Sequence, residues 1–210
     1  MKIICLLASF FLFSFFLTGC EVCSCKKIPC PEFNAPEFLH WLPYTSSQKI
    51  VFRNNSLFDT ITIDRIDKSA SYEASKGCLH GDNGCTMNYW LSSAEAQPDY
   101  TPKFSVDFMS TTPFESSNAS KNIALRFYNF TCAASGVDDQ GLLIEPGAYS
   151  SQYYASFNMA GNIYNNVQVI IKDTSGSTGK TSGPYKIYLA KDQGMVGYEH
   201  YPGLQTWIKE

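Results

Sequence analysis

Histidine is scarce in this sequence, with only His40, His80 and His200 among 210 residues. Histidine is the side chain whose ordinary pKa lies nearest neutrality, so few positions can act as a general base. The sequence also lacks the Gly-x-Ser-x-Gly pattern that places a serine nucleophile on a sharp turn. We therefore expect no catalytic residues. A hydrolase would require the three histidines to cluster with serine and acidic side chains.

A basic excess is also missing. Lysine and arginine number 16 against 19 aspartates and glutamates, which gives a formal net charge of −3. Binding to nucleic acid, or docking on anionic lipid headgroups, depends on clustered positive charge. We therefore predict no nucleic-acid partner and no electrostatic docking on a membrane.

Long stretches with helical periodicity are absent after residue 45, and apolar and polar residues alternate instead. Residues 103–109 are typical, with Phe104, Val106 and Phe108 on one face. Comparable strand candidates occupy residues 49–53, 59–66, 87–91, 123–130, 152–157, 166–172, 185–191, 195–201 and 204–209. Parallel pairing needs helical crossovers. The sequence therefore predicts an all-β fold, a mainly antiparallel meander of about ten strands in a curved half-barrel or two-sheet β domain.

One short helix is predicted near the N-terminus, over residues 36–42. Phe38, Trp41 and Leu42 fall at i, i+3 and i+4, so they share one face, and Pro43 ends the helix. We expect this apolar face to cover one end of the β core.

The longest apolar run lies at the N-terminus. Lys2 precedes residues 3–17, which are almost wholly apolar. This run is shorter than the ~20 residues of a membrane-spanning helix, and its order is that of a secretory signal. Residues 17–20, Leu-Thr-Gly-Cys, resemble the lipobox of bacterial lipoproteins. The resemblance implies cleavage before Cys20 and attachment of fatty acids, palmitate among them, to that cysteine.

The lipobox defines the expected domain organisation. Residues 1–19 are a lipoprotein signal peptide, residues 20–33 a Cys-rich tether, and residues 34–210 a single β domain. The expected location is the bacterial cell envelope, lipid-anchored, with the outer membrane as the expected membrane. The expected partners are the membrane, through the N-terminal lipid, and an envelope protein or small-molecule ligand.

Two further segments extend the resemblance. The tether sequence CSCKKIPCP, residues 23–31, and the ending GMVGYE, residues 194–199, followed by Thr206 and Trp207, resemble those of lipoproteins from Bacteroidota. The resemblance implies an envelope location and a β-rich body. It carries no established active site, so no functional residue is transferred.

Six of the eight cysteines remain once Cys5 leaves with the signal and Cys20 is acylated. An even number in an exported chain predicts disulfides. Spacing along the chain favours Cys78 with Cys85, and Cys30 with Cys23 or Cys25. No partner is evident for Cys132.

Two segments imitate cofactor sites. Residues 179–181, Gly-Lys-Thr, end a stretch like a phosphate-binding loop, but Thr174 stands where that motif needs glycine. Cys78, His80 and Cys85 supply three ligands where structural zinc needs four. We therefore predict neither a cofactor nor a metal.

Aromatic residues make up 15% of the sequence, and thirteen of them are tyrosines. Such rings fill β cores and also line ligand grooves. The four tyrosines that we select as ligand contacts are Tyr153, Tyr154, Tyr198 and Tyr201. The alternative for these rings is cross-strand packing.

Two functions without catalysis stay open. We favour a binding or scaffold module of the envelope and expect the chain not to be an enzyme. The alternative is a carrier of a lipid or other apolar ligand in a concave β cavity. A carrier requires an open interior lined by Phe104, Val106, Leu125 or Phe127.

Overall fold

A computed structural model describes residue 30 and residues 32–73, 84–95, 97, 101–113, 120–174 and 182–210. Over these residues the chain forms one α-helix and twelve β-strands. The helix is α1 (Pro36–Trp41), and the strands are β1 (Lys49–Asn54), β2 (Leu57–Glu73), β3 (Gly84–Ser93), β4 (Phe104–Pro113), β5 (Ser120–Phe127), β6 (Phe130–Asp138), β7 (Gly141–Ile144), β8 (Tyr149–Met159), β9 (Asn162–Lys172), β10 (Gly183–Ala190), β11 (Gly194–Tyr201) and β12 (Gln205–Lys209).

The twelve strands form one sheet made of two antiparallel meanders. Strands β1 to β7 pair in chain order, and so do strands β8 to β12. A short pairing of β1 with β12, Phe52 opposite Lys209 and Arg53 opposite Ile208, joins the two meanders. The sheet curls into a nearly closed barrel whose two edge strands are β7 and β8. The predicted all-β antiparallel meander is confirmed.

The count of about ten strands differs from the twelve observed for two reasons: one predicted strand contains a hairpin, and β7 (Gly141–Ile144) was not predicted. We expected a single strand over residues 123–130, but β5 ends at Phe127 and β6 begins at Phe130. Tyr128 adopts a φ of 53°, a left-handed conformation that turns the chain within two residues. No glycine marks this turn. The small residues of β6 gave no strong strand signal.

The barrel interior is the main core. Along β5, Ile123, Leu125 and Phe127 face inward and are at most 2% exposed, because successive side chains of a strand point to opposite faces. The same alternation on the other strands completes a cluster of large side chains, including Phe52, Ile61, Leu91, Phe104, Phe130, Ile170, Leu189 and Tyr198.

A second, smaller apolar cluster lies on the outer face of β9 to β12. Val167 and Val169 belong to it, whereas Ile170 faces the interior. Asn166 of β9 adopts a left-handed φ of 52°. The half of the β8–β9 hairpin nearer its turn packs Met159 towards β11. A Cβ added to Gly197 of β11 would lie 2.7 Å from the Met159 sulfur, so glycine permits this close approach.

Helix α1 closes one end of the barrel, which we call the helix end. Phe38 and Trp41 of α1, and Leu42 just after it, are 0% exposed, in agreement with the predicted apolar face. The ring of Phe38 lies 5.1 Å from that of Tyr89 and 4.6 Å from that of Phe108. The Trp41 indole donates a hydrogen bond of 3.1 Å to the carbonyl of Asp138 at the end of β6.

Candidate binding site

The barrel interior is filled by side chains. Phe104, Val106 and Phe127 are 0% exposed and Leu125 is 1% exposed. The ring centroids of Phe104 and Phe127 lie 6.3 Å apart, and those of Phe127 and Tyr198 lie 4.8 Å apart. Rings at these separations pack edge to face. The open cavity that a carrier requires is therefore missing at these four residues.

Asp59 lies at the end of the barrel opposite α1, and polar side chains surround its carboxylate. It lies on β2 in the alternation of the inward-facing Ile61 and Ile63, and its side chain is 12% exposed. Its carboxylate accepts hydrogen bonds from the hydroxyls of Tyr128, at 2.7 and 2.8 Å, and of Tyr198, at 2.8 Å. The Lys103 ammonium lies 3.4 Å away. A carboxylate inside the barrel is thus neutralised and hydrogen-bonded.

The structure places Tyr198, one of the selected ligand contacts, in the barrel interior beside Asp59. Tyr198 is only 2% exposed, and its hydroxyl is engaged by Asp59. Burial, together with the adjacent carboxylate, raises its pKa well above the ordinary tyrosine value. Its role is to fix the buried carboxylate.

Glu199 repeats this arrangement on the opposite face of β11. The hydroxyls of Tyr185 and Tyr188 both donate to its carboxylate, and the Lys186 ammonium donates over 3.0 and 3.1 Å. Burial alone would raise the pKa of Glu199, but these donors favour the ionised form and lower it below its ordinary value. Burial and the same carboxylate raise the pKa of Tyr185 to about 12. Tyr201, a selected ligand contact, is half-buried with its ring 6.3 Å from Tyr185.

The two edge strands of the barrel meet without backbone pairing between them. Gln168 of β9 bridges the gap: its side-chain carbonyl accepts from the Leu142 N–H at 2.8 Å, and its amide donates to the Leu142 carbonyl at 2.7 Å. The amide of one side chain thus replaces a strand pair. Gly141 has a φ of +124°, and a Cβ there would lie 2.3 Å from the Gln168 oxygen. Glycine is therefore required beside this bridge.

A groove of about 310 Å³ runs over this junction. We call it the seam groove, and its walls are formed by Ser135, Asp138, Gln140, Leu142, Leu143, Ile144, Ser151, Gln152, Tyr153 and Gln168. Tyr153 and Tyr154, both selected from the sequence, are 37% exposed on β8. The Tyr153 hydroxyl donates to Asn166 and that of Tyr154 to Gln152, each at 2.6 Å. Of the four selected tyrosines, Tyr153 is the one that lines the groove.

A second groove of about 430 Å³ lies on the outer face of β3 to β6, and we call it the outer groove. Trp90, Asp107, Ala124 and Ala133 face one another in direct register across these four strands. The two alanines form a low floor between taller neighbours, which include Met109. The sequence could not reveal this row because strand register is not readable from one sequence.

Gln168 was also missed from the sequence, although a signal was present. It is the one polar residue in the run Val167–Ile171, and it lies in the alternation of the inward-facing Ile170. A lone polar residue on a buried strand face needs a hydrogen-bond partner. Its burial, at 3% exposure, follows from its bonds to Leu142.

The described histidines do not form a catalytic cluster. His40 pairs with Asp192 at the helix end, and both side chains are more than half exposed. His200 lies near the other end of β11, six residues from Gly194 at its start, and at ~3.3 Å per residue these six span roughly 20 Å. Burial lowers the pKa of His200. His80 lies outside the described residues.

The described residues also contain no metal-binding cluster and no helix long and apolar enough to cross a membrane. No three or more His, Cys, Asp or Glu side chains of this part come together as ligands could. The helix in the described part of the chain is α1, and its six residues are too few to cross a membrane. The segments 1–19 and 179–181, with Cys20, lie outside the described residues.

The disulfide differs from both predicted pairings. Cys30 is bonded to Cys85 at the start of β3, with their Cα atoms 5.6 Å apart. The chain after Cys30 runs beside β3, where the Phe33 ring packs 5.8 Å from Tyr89. This packing brings together cysteines that are 55 residues apart, so local spacing was a poor guide. The predicted partners Cys78, Cys23 and Cys25 lie outside the described residues.

Cys132, for which no partner was found, is a free thiol on the inner face of β6. It is 2% exposed, and burial raises its pKa to about 12. A buried, protonated thiol is unreactive, so Cys132 acts as a small apolar core residue.

Comparison with known proteins adds no family: no family model, no curated protein and no solved structure matches this chain.

Proposed function

We propose that the chain is a lipid-anchored, non-catalytic binding module of the bacterial cell envelope. The apolar segment 3–17 and the lipobox ending at Cys20 support the anchor. Fatty acids on this cysteine would hold the protein at the membrane, the outer membrane in our proposal. One buried acyl chain binds only marginally, and several chains hold firmly.

The free edge of β8 is the observation that carries the binding function. Residues 150–156 are all exposed, and β8 from Tyr149 to Met159 contains no charged residue and no proline. It pairs with β9 on one side only. Proteins usually protect such an edge with lysine, proline or a bulge, because unpaired backbone groups attract another strand.

We infer that the partner is a polypeptide that adds an extended segment along β8. Backbone hydrogen bonds would supply affinity, as in other cases of strand addition. Tyr153 and Tyr154 would contact side chains of the added segment from the seam groove and its border. Neither alternative function has comparable support, because aromatic rings occupy the interior and the two described histidines lie far apart.

Site-specific photocrosslinking in the native envelope tests this proposal. A benzoylphenylalanine at position 153 is expected to trap a partner, whereas the same group at Phe58, which is 60% exposed, serves as the matched control. Combining benzoylphenylalanine at position 153 with the substitution Y154K should place a charge at the edge of β8. This variant is expected to lose the crosslinked adduct without a change in melting temperature. The backbone amides of residues 150–156 should exchange more slowly in the isolated adduct.

Two results would count against the edge of β8 as the binding site. One is an equally strong adduct at position 58. The other is the absence of an adduct at position 153, or an adduct that leaves amide exchange in β8 unchanged.

A further inference from the structure

The outer groove contains a carboxylate that has no partner. Asp107 is exposed on β4, between Trp90 and Ala124. Among the described residues, no side chain or backbone N–H donates a hydrogen bond to its carboxylate, and no ion pair includes it. Arg126 acts on it only through space, and partial desolvation raises its pKa despite that charge. Among the described residues, the Asp107 carboxylate therefore has no direct hydrogen-bonded or ion-paired partner, and Arg126 offsets its charge only at a distance.

The other side of Trp90 shows how such a carboxylate can be satisfied. Asp67 of β2 is in direct register with Trp90, as Asp107 is from β4. The guanidinium of Arg65 lies 5.4 Å from the centroid of the Trp90 ring and pairs with the Asp67 carboxylate at 2.6 Å. A cation beside both a carboxylate and an indole ring gains Coulomb and cation–π attraction together.

Trp90 thus has an aspartate on each side, and of these two only Asp67 forms a direct ion pair with a cation among the described residues. On the Asp107 side, the space that a guanidinium would fill is the outer groove, of about 430 Å³. Ala124 and Ala133 leave its floor low, and Met109, which is 42% exposed, adds an apolar wall. Glu145 contributes a second exposed carboxylate at the rim, since its backbone N–H donates to the Ala133 carbonyl.

We propose that the outer groove binds an arginine side chain of a partner polypeptide, with the guanidinium on Asp107 and the aliphatic part of the side chain over Ala124 and Ala133. This geometry repeats, with a residue from outside, the contact that Arg65 makes within the chain. The inference is independent of the seam groove and of the lipid anchor. It can be tested on the purified protein.

The probe is N-acetyl-arginine amide, and its control is N-acetyl-citrulline amide, which replaces the guanidinium with a neutral urea of nearly the same shape. Both are titrated into protein carrying labelled alanine methyl groups and tryptophan indoles, observed by NMR. We expect saturable shifts at Ala124, Ala133 and Trp90 with the arginine probe. Affinity for the citrulline probe should be at least tenfold lower.

Two variants complete the test. D107N should weaken the arginine probe at least tenfold, and D64N, at an exposed aspartate elsewhere on β2, should leave it unchanged. Equal affinity for the two probes in the unaltered protein would overturn the proposal whether or not D107N folds. Absence of saturable shifts up to the solubility limit of the arginine probe would overturn it as well.

Discussion

At the scale of single residues, Gln168 has the most demanding position in the structure. It is 3% exposed, and both atoms of its amide are used by the backbone of Leu142. Replacing the amide would leave a buried N–H and a buried carbonyl without partners. Each such loss costs ~1–3 kcal/mol.

Q168M should therefore lower the free energy of unfolding by about 2 to 6 kcal/mol, since methionine keeps the length of the side chain and loses both hydrogen bonds. Urea denaturation measures the change. Q152M, at an exposed position on the neighbouring β8, is the matched control and should change stability by less than about 0.5 kcal/mol. Equal effects of the two substitutions would refute the bridging role of Gln168.

Glu199 gives the stability a defined dependence on pH. Its pKa is lowered from the ordinary value of 4.5, so the folded state favours the ionised carboxylate more than the unfolded state does. The resulting stability is fully present above the unfolded pKa and is lost as the pH falls through the folded pKa. E199Q should be less stable than the unaltered protein at pH 7, and the difference should shrink on acidification below about pH 4.5.

Thermal unfolding of both proteins between neutral and acidic pH tests this sign. E145Q, which changes an exposed glutamate, should show the same dependence of melting temperature on pH as the unaltered protein. A difference for E199Q that stays constant or grows on acidification would contradict the contribution of the ionised carboxylate.

At the scale of elements, α1 acts as an apolar cap. Its formation was predictable because Phe38 and Trp41 are spaced for one helical face. Truncation of a fully buried phenylalanine removes its contacts and leaves a cavity. F38A should therefore lower the free energy of unfolding by about 3 to 5 kcal/mol in a chemical denaturation experiment.

E37A provides the control on the same helix. Glu37 is exposed in the first turn of α1, so its removal should change stability by less than about 0.5 kcal/mol. A loss as small for F38A as for E37A would show that α1 does not cover the core.

The disulfide between Cys30 and Cys85 fixes the chain that leads into α1. Proteolysis without reduction, followed by mass spectrometry, should recover a peptide pair that contains these two cysteines. C30S and C85S should lower the melting temperature by equal amounts, because each removes the same bond. A peptide that joins Cys78 to Cys85 would restore the pairing that local spacing predicted.

Strands were predictable where apolar and polar residues alternate, as in β4. The prediction of strands failed where that alternation weakens. The end of β2 (Lys68 to Glu73) and most of β6 carry small or polar residues, so neither segment has the alternation that predicts a strand. The turn at Tyr128 was hidden because a tyrosine occupies a left-handed position that glycine or asparagine usually takes.

At the scale of the whole molecule, closure of the barrel depends on contacts between residues distant in sequence. Short joins hold the two meanders together: β1 with β12, and Gln168 with Leu142. The sequence predicts the class of fold because alternation is local. The joining of the two meanders through β1 and β12, the strand register and both grooves could not be predicted, because they depend on which distant strands become neighbours.

The proposed lipid anchor would place this barrel beside a membrane. The segment between Cys20 and Cys30 spans at most about 35 Å when extended, at ~3.5 Å per residue. Cys30 is bonded at the start of β3, so an acylated Cys20 would hold the barrel close to the lipid surface. A partner on β8 would then be recruited beside the membrane.

Mass spectrometry of the intact protein extracted from bacterial membranes tests the anchored binding module most directly. The account predicts a chain of residues 20–210 with fatty acyl groups on Cys20, and the same modification in a C23S control. C20S should lose the acyl groups and leave the membrane fraction. A membrane-extracted chain that retains residues 1–19, or that begins at an unmodified Cys20, would contradict the account.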